Sequence, residues 1–118
     1  MKKILFALRR PPHCGTYAQE MLDIIMTVAA FDQEVSILIL DNAVFQLKKQ
    51  QNPENAGLKD TVAIFRALPI YNINTVYAEM ESLQERGLSV ADLDQSVVEI
   101  PRNNIGEFFR QFDLVLSG

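Results

Sequence analysis

Residues 4–40 read ILFALRRPPHCGTYAQEMLDIIMTVAAFDQEVSILIL, and two apolar runs, Ile4–Leu8 and Val35–Leu40, enclose a segment of different period. Each run is apolar at consecutive positions, so both faces of the strand it forms must be covered, as in a sheet with helices on each side. Between them, Thr16 and Gln19 have the spacing of a capping box, in which each side chain satisfies a free backbone N–H at a helix start. Tyr17, Met21, Leu22, Ile25, Val28 and Ala29 then fall on one helical stripe. Strand, helix, strand in this order is a parallel pair joined by a crossover, which is right-handed in nearly all proteins.

The same alternation continues along the chain. Strand-like runs recur at Thr75–Ala78, Val97–Ile100 and Leu114–Leu116. Asp41-Asn42 offers caps for a short helix bearing Val44, Phe45 and Leu47. Val62, Phe65 and Leu68 recur at helical spacing before Pro69, which is expected to end that run. Met80–Arg86 reads as a helix stopped by Gly87, and Ile105, Phe108, Phe109 and Phe112 make a last apolar stripe. Five strands alternating with helices predict an α/β fold, a three-layer α/β/α sandwich around a five-stranded parallel sheet, with residues 1–118 forming one domain. The first two strands belong near its centre. Glu99 puts a charge on one face of Val97–Ile100, which predicts a place nearer an edge.

Composition narrows the function. The chain has 118 residues, of which 48% are hydrophobic and 22% charged, as in packed globular proteins. Its net charge of −4 argues against phosphate-backbone binding, so direct nucleic-acid binding is not expected. Residues 1–59 hold seven Lys or Arg and six acids, whereas residues 60–118 hold four and nine, so the second half would steer a basic partner. No apolar stretch approaches the roughly 20 residues that span a bilayer, and Ile4–Leu8, followed by Arg9-Arg10, is too short for a signal-peptide core. One cysteine and one histidine exclude an internal disulfide, a cysteine-rich zinc site and a multi-histidine cluster. A reducing cytoplasm is the expected location.

In parallel sheets of this kind, ligands and chemistry lie beyond the carboxyl ends of the strands. Four segments fall there: Arg9–Thr16, Asp41–Phe45, Ala78–Ser82 and Pro101–Asn104. The first holds His13 and Cys14 just before a helix start, where a thiol pKa can be lowered. A sulfur-carrying thiolate assisted by His13 is the functional reading; a small loop residue beside a turn histidine is the plainer one and is preferred. Neither GxGxxG nor GxxxxGK[ST] is present, which argues against a dinucleotide or P-loop cofactor. Asp41 and Glu79 each follow a strand and together suggest a magnesium pair, but helix capping or simple solvation is the preferred reading, and no metal or cofactor is expected. The charged face of Met80–Arg86 reads as solvated. Phe45, Phe65, Tyr71, Phe108, Phe109 and Phe112 exceed what the stripes need, which points to some of them at a subunit interface.

Certain local motifs go further. Pro12-His13 followed by Gly15-Thr16, Glu20-x-Leu22-Asp23, Asp41-x-Ala43-Val44-Phe45-Gln46-Leu47 and Ser82-Leu83-x-Glu85-Arg86-Gly87-Leu88 together resemble the TusC/DsrF branch of the DsrE/DsrF/DsrH family, from the first strand to the last. The Val-Phe-Gln-Leu element is the most telling of these, and Cys14 beside His13 departs from the family pattern. The resemblance implies a cytoplasmic sulfur-relay complex in which three related subunits form a heterotrimer that pairs into a hexamer. TusC-like proteins serve 2-thiolation of the wobble uridine of certain tRNAs, and DsrF-like proteins serve sulfur oxidation. In both complexes the DsrE/TusD-type subunit carries a persulfide on a cysteine just after the third strand. Here that region reads Ala78-Glu79. A carboxylate cannot form the S–S bond a carrier needs. The resemblance therefore implies a noncatalytic subunit, with TusB/DsrH-like and TusD/DsrE-like partners.

Overall fold

Strand β1 (Lys3–Leu8) lies between β2 (Glu34–Ile39) and β5 (Leu114–Ser117) in a five-stranded sheet of order β4-β3-β2-β1-β5, completed by β3 (Val76–Glu79) and β4 (Val98–Ile100). All four pairings are parallel. The computed structural model describes residues 2–9, 17–31, 33–47, 65–73, 75–93 and 96–117. His13, Cys14, the Thr16 cap, Val62 and the polar stretch 50–57 lie outside the described residues.

The consecutive apolar residues of β1 and β2 are divided between two cores. Ile4, Phe6, Leu8, Val35, Ile37 and Ile39 face one side, where helix α1 (Tyr17–Ala29) adds Leu22 and Ile25, and helix α2 (Met80–Glu85) adds Leu83. Leu5, Ala7, Leu38 and Leu40 face the other, under Phe108 of helix α3 (Ile105–Phe109). Topology explains this division. The chain steps from β1 to β2, β3 and β4 in one direction across the sheet and then returns past β1 to β5. A right-handed crossover taken in the reverse direction lays its helix on the opposite face. The result is the expected α/β sandwich with covered faces.

Strand bounds agree with the sequence reading to within a residue or so, and β4 is indeed an edge strand, with Val98 half exposed and Glu99 exposed. Two helical segments differ from expectation. Asp41–Leu47 is a 3-10 helix, entered through Asp41 at φ 52°, a left-handed conformation that Asp tolerates better than most residues. Pro69 does not end its run. Residues 65–67 are helical, and a 3-10 turn, Leu68–Tyr71, continues them with Pro69 in its first positions, where a missing N–H is harmless. Asn72, at φ 65°, closes that turn. Gly87, at φ 68°, follows α2 as the expected left-handed stop.

The aromatic surplus is now resolved by position. Phe65 and Phe108 are buried, and Phe108 stacks edge-on with Phe112 (5.1 Å between centroids) and against Tyr77 (4.7 Å). Phe45, Phe109 and Phe112 are half-buried, and Tyr71 is exposed. Among the described residues, no helix is long and apolar enough to cross a membrane.

Candidate functional site

Parallel strands bring Arg9, Asp41, Glu79 and Arg102 to one edge, because each follows or ends the carboxyl terminus of a neighbouring strand. Glu79 is the last residue of β3 and the N-cap of α2, yet its carboxylate makes no capping bond to the helix backbone. It is 5% exposed. Its Oε1 accepts hydrogen bonds from the Ser82 hydroxyl (2.6 Å) and from Arg102 Nε (3.1 Å) and Nη2 (2.8 Å). Ser82, fully buried, accepts in turn from the Asp41 backbone N–H at 2.8 Å. A directed chain of donors therefore runs from the end of β2, through Ser82, to the end of β3.

Arg102 binds this edge three ways. Its backbone N–H donates to both carboxylate oxygens of Glu81 (3.0 and 3.2 Å), and its guanidinium forks onto Glu85 through Nη1 (3.0 Å) and Nη2 (2.9 Å) while also holding Glu79. A planar five-donor group is suited to two carboxylates at once. Arg86 donates to Asn42 Oδ1 (2.9 Å) and the Ser82 carbonyl (3.1 Å), and Arg9 pairs with Asp41 at 3.0 Å. The charged face of α2 is both solvated and paired: Glu85 is 53% exposed, and Glu81 and Glu85 hold Arg102. Glu79 neither caps α2 nor faces solvent, and Asp41 is held by Arg9.

Charge follows from this geometry. The hydrogen bonds from Arg102 hold the Glu85 carboxyl below its usual range, and those to Glu85 and Glu79 keep Arg102 charged at any accessible pH. Because the folded-state value of Glu85 is depressed, its pairing stabilises the fold above the ordinary carboxyl pKa of 4.5 and loses that effect as pH falls through the lower, folded value. Glu85 is exposed, so the effect is small. The melting temperature of Glu85→Gln is expected to lie slightly below that of the parent at pH 7, with the gap closing below about pH 4.5. A gap unchanged from pH 7 to pH 3 would contradict the pairing.

The arrangement is a clasp. The carboxylate nearest the buried serine is paired with a guanidinium, and the serine is out of reach of solvent. Asp41 pairs with Arg9 and Glu79 with Arg102. Among the described residues, no group of three or more His, Cys, Asp or Glu has an arrangement able to hold a metal ion. The structure does not place His13 or Cys14 relative to this edge, since both lie outside the described residues. The Glu79–Arg102 pairing itself escaped sequence reasoning. Its one visible signal was a carboxylate ending one strand and an arginine just past the end of another.

Comparisons with known proteins agree with this architecture. Residues 2–114 match the model of the DsrE/DsrF-like family. The intracellular sulfur oxidation protein DsrF of Allochromatium vinosum is 35% identical over 99 residues, covering 84% of this chain and 73% of that protein. A protein TusC homolog of Pseudomonas aeruginosa is 33% identical over 116 residues, 98% of each chain. Among solved structures, the ychN protein of E. coli superposes with a TM-score of 0.84 at 17% identity over both full chains. A protein of unknown function from Methanobacterium thermoautotrophicum, MTH1491, gives 0.74 at 10%, again over both full chains. These two show the fold alone.

Proposed function

Since the chain belongs to the DsrE/DsrF-like family, we propose that it is a noncatalytic, TusC-like subunit of a cytoplasmic sulfur-relay complex supporting 2-thiolation of the tRNA wobble uridine. Its partners in this reading are TusB/DsrH-like and TusD/DsrE-like subunits, the latter carrying the sulfur. One observation carries the reading. At the end of β3, where a persulfide carrier of this family needs a thiol, this chain has Glu79, buried and clamped by Arg102 and Ser82. Its contribution is then to hold and shape a neighbour. The near full-length match to a TusC homolog supports the choice of branch.

Mixing the purified chain with the two sister subunits from the same genome is expected to give one larger species by light scattering. A monomer that ignores both would overturn the reading. Cys14 is the remaining thiol, and a sulfurtransferase using it as persulfide carrier, assisted by His13, is the rival. Exposure to a cysteine desulfurase and its carrier is expected to add no sulfur to Cys14 by intact mass, and Cys14→Ser to leave relay unchanged; an added sulfur lost in that variant would favour the rival.

A second reading, a DsrF-like subunit of a sulfur-oxidation complex, is favoured by the 35% identity to the Allochromatium protein. Neighbouring genes separate the two: dissimilatory sulfite reductase genes beside this one would favour oxidation, and their absence tRNA thiolation.

A further inference from the structure

The sandwich carries a surface unrelated to the clasp. Between the second half of α1 and the 3-10 turn Leu68–Tyr71 lies an open groove of about 420 Å3 lined by Asp23, Met26, Thr27, Ala30, Phe31 and Tyr71. Two of its neighbours are the most exposed large apolar side chains described: Phe31 is 73% exposed, and Ile70, next to Tyr71, is 81% exposed. Ile24, half exposed, adjoins Thr27 on the helix surface. Large apolar side chains left exposed around one groove are the kind of surface that marks a contact with another protein.

A carboxylate sits among them. Asp23 makes no ion pair or side-chain hydrogen bond among the described residues; its backbone carbonyl accepts from the Thr27 hydroxyl at 2.8 Å. A groove lined by a carboxylate and two aromatic side chains suits a cationic side chain. Aromatic groups attract such a charge, and a carboxylate accepts its hydrogen bonds. Isolated chains meeting through the same groove would oppose two Asp23 carboxylates, so charge disfavours a second copy as the occupant. The net charge of −4 likewise favours a basic partner.

We propose that this groove is the docking site for a sister subunit that inserts an arginine or lysine into it onto Asp23 and covers Ile24, Phe31 and Ile70 with apolar side chains. The inference rests on the relay-subunit reading above and names the surface that reading requires.

The test assembles the chain with its two sister subunits and follows deuterium uptake and complex mass together. Assembly is expected to protect residues 20–31 and 68–73, and Asp23→Lys and Ile70→Asp are each expected to weaken it at least tenfold while melting like the parent. Binding of the parent should also weaken with added salt. A complex that forms without protecting these segments and tolerates both variants would overturn the groove and leave the subunit reading standing. Failure of the unmodified chain to assemble removes both. Protection that rises with the concentration of this chain alone would identify a second copy and overturn the proposal.

Discussion

Arg102→Ala is expected to lower the urea unfolding midpoint clearly at pH 7, because it breaks an ion pair whose carboxylate is buried. Arg102 is itself 45% exposed, which admits water and limits the loss. The loss arises at Glu79, whose carboxylate is 6% exposed and would keep, among the described residues, only the Ser82 hydroxyl as a donor. Arg102→Lys is expected to recover little, since one ammonium cannot reproduce the fork that spans Glu79 and Glu85. Glu79→Gln in the Arg102→Ala background should restore part of the stability by removing the stranded charge, and a double-mutant cycle isolates the coupling. A single Arg102→Ala variant that unfolds at the parent's urea midpoint would show that the clasp does not hold this edge together.

Phe6→Ala is expected to have an effect at least as large, about 3–5 kcal/mol, because the lost ring leaves a cavity that neighbours cannot fill. Phe6 is 1% exposed on β1, flanked in register by Ile37 of β2 and Leu116 of β5 and facing the core that Leu22 and Ile25 of α1 complete. Both neighbouring strands pair with β1 along most of its length, so backbone collapse around the site is resisted. Chemical denaturation with an unchanged slope checks the value, and a loss below about 1.5 kcal/mol would mean that α1 settles into the gap. The two substitutions probe separate supports: the core between β1 and α1, and the polar edge between β3 and β4.

The contrast between these two residues shows how far the sequence could be read. Phe6 was legible as core because it sits in a run apolar at every position, and such a run is stable only with both faces covered. Glu79 was not legible as a buried ion-pair partner. Read locally, a carboxylate before Met80-Glu81-Ser82 is a cap or a solvated charge, and its partner lies 23 residues away. The 3-10 form of Asp41–Leu47 was hidden for a similar reason. Ser82 on α2 captures the Asp41 N–H, and that long-range bond helps to fix a left-handed entry which the local spacing of Val44 and Leu47 does not reveal. Among the aromatics, spacing gave no means of telling buried Phe65 from exposed Tyr71.

What this sequence determined by itself was the order and kind of its main elements, the central place of β1 and β2, the edge place of β4, and the lack of a thiol at the end of β3. These depend on periodicity and residue identity, which act over a few neighbours. The tertiary structure alone decided that Arg102 meets Glu79 and Glu85, that Ser82 joins β2 to β3, and that Asp23, Phe31 and Tyr71 line one groove. Such meetings are set by the register of parallel strands and the face on which each crossover lies, quantities that no local stretch of residues encodes.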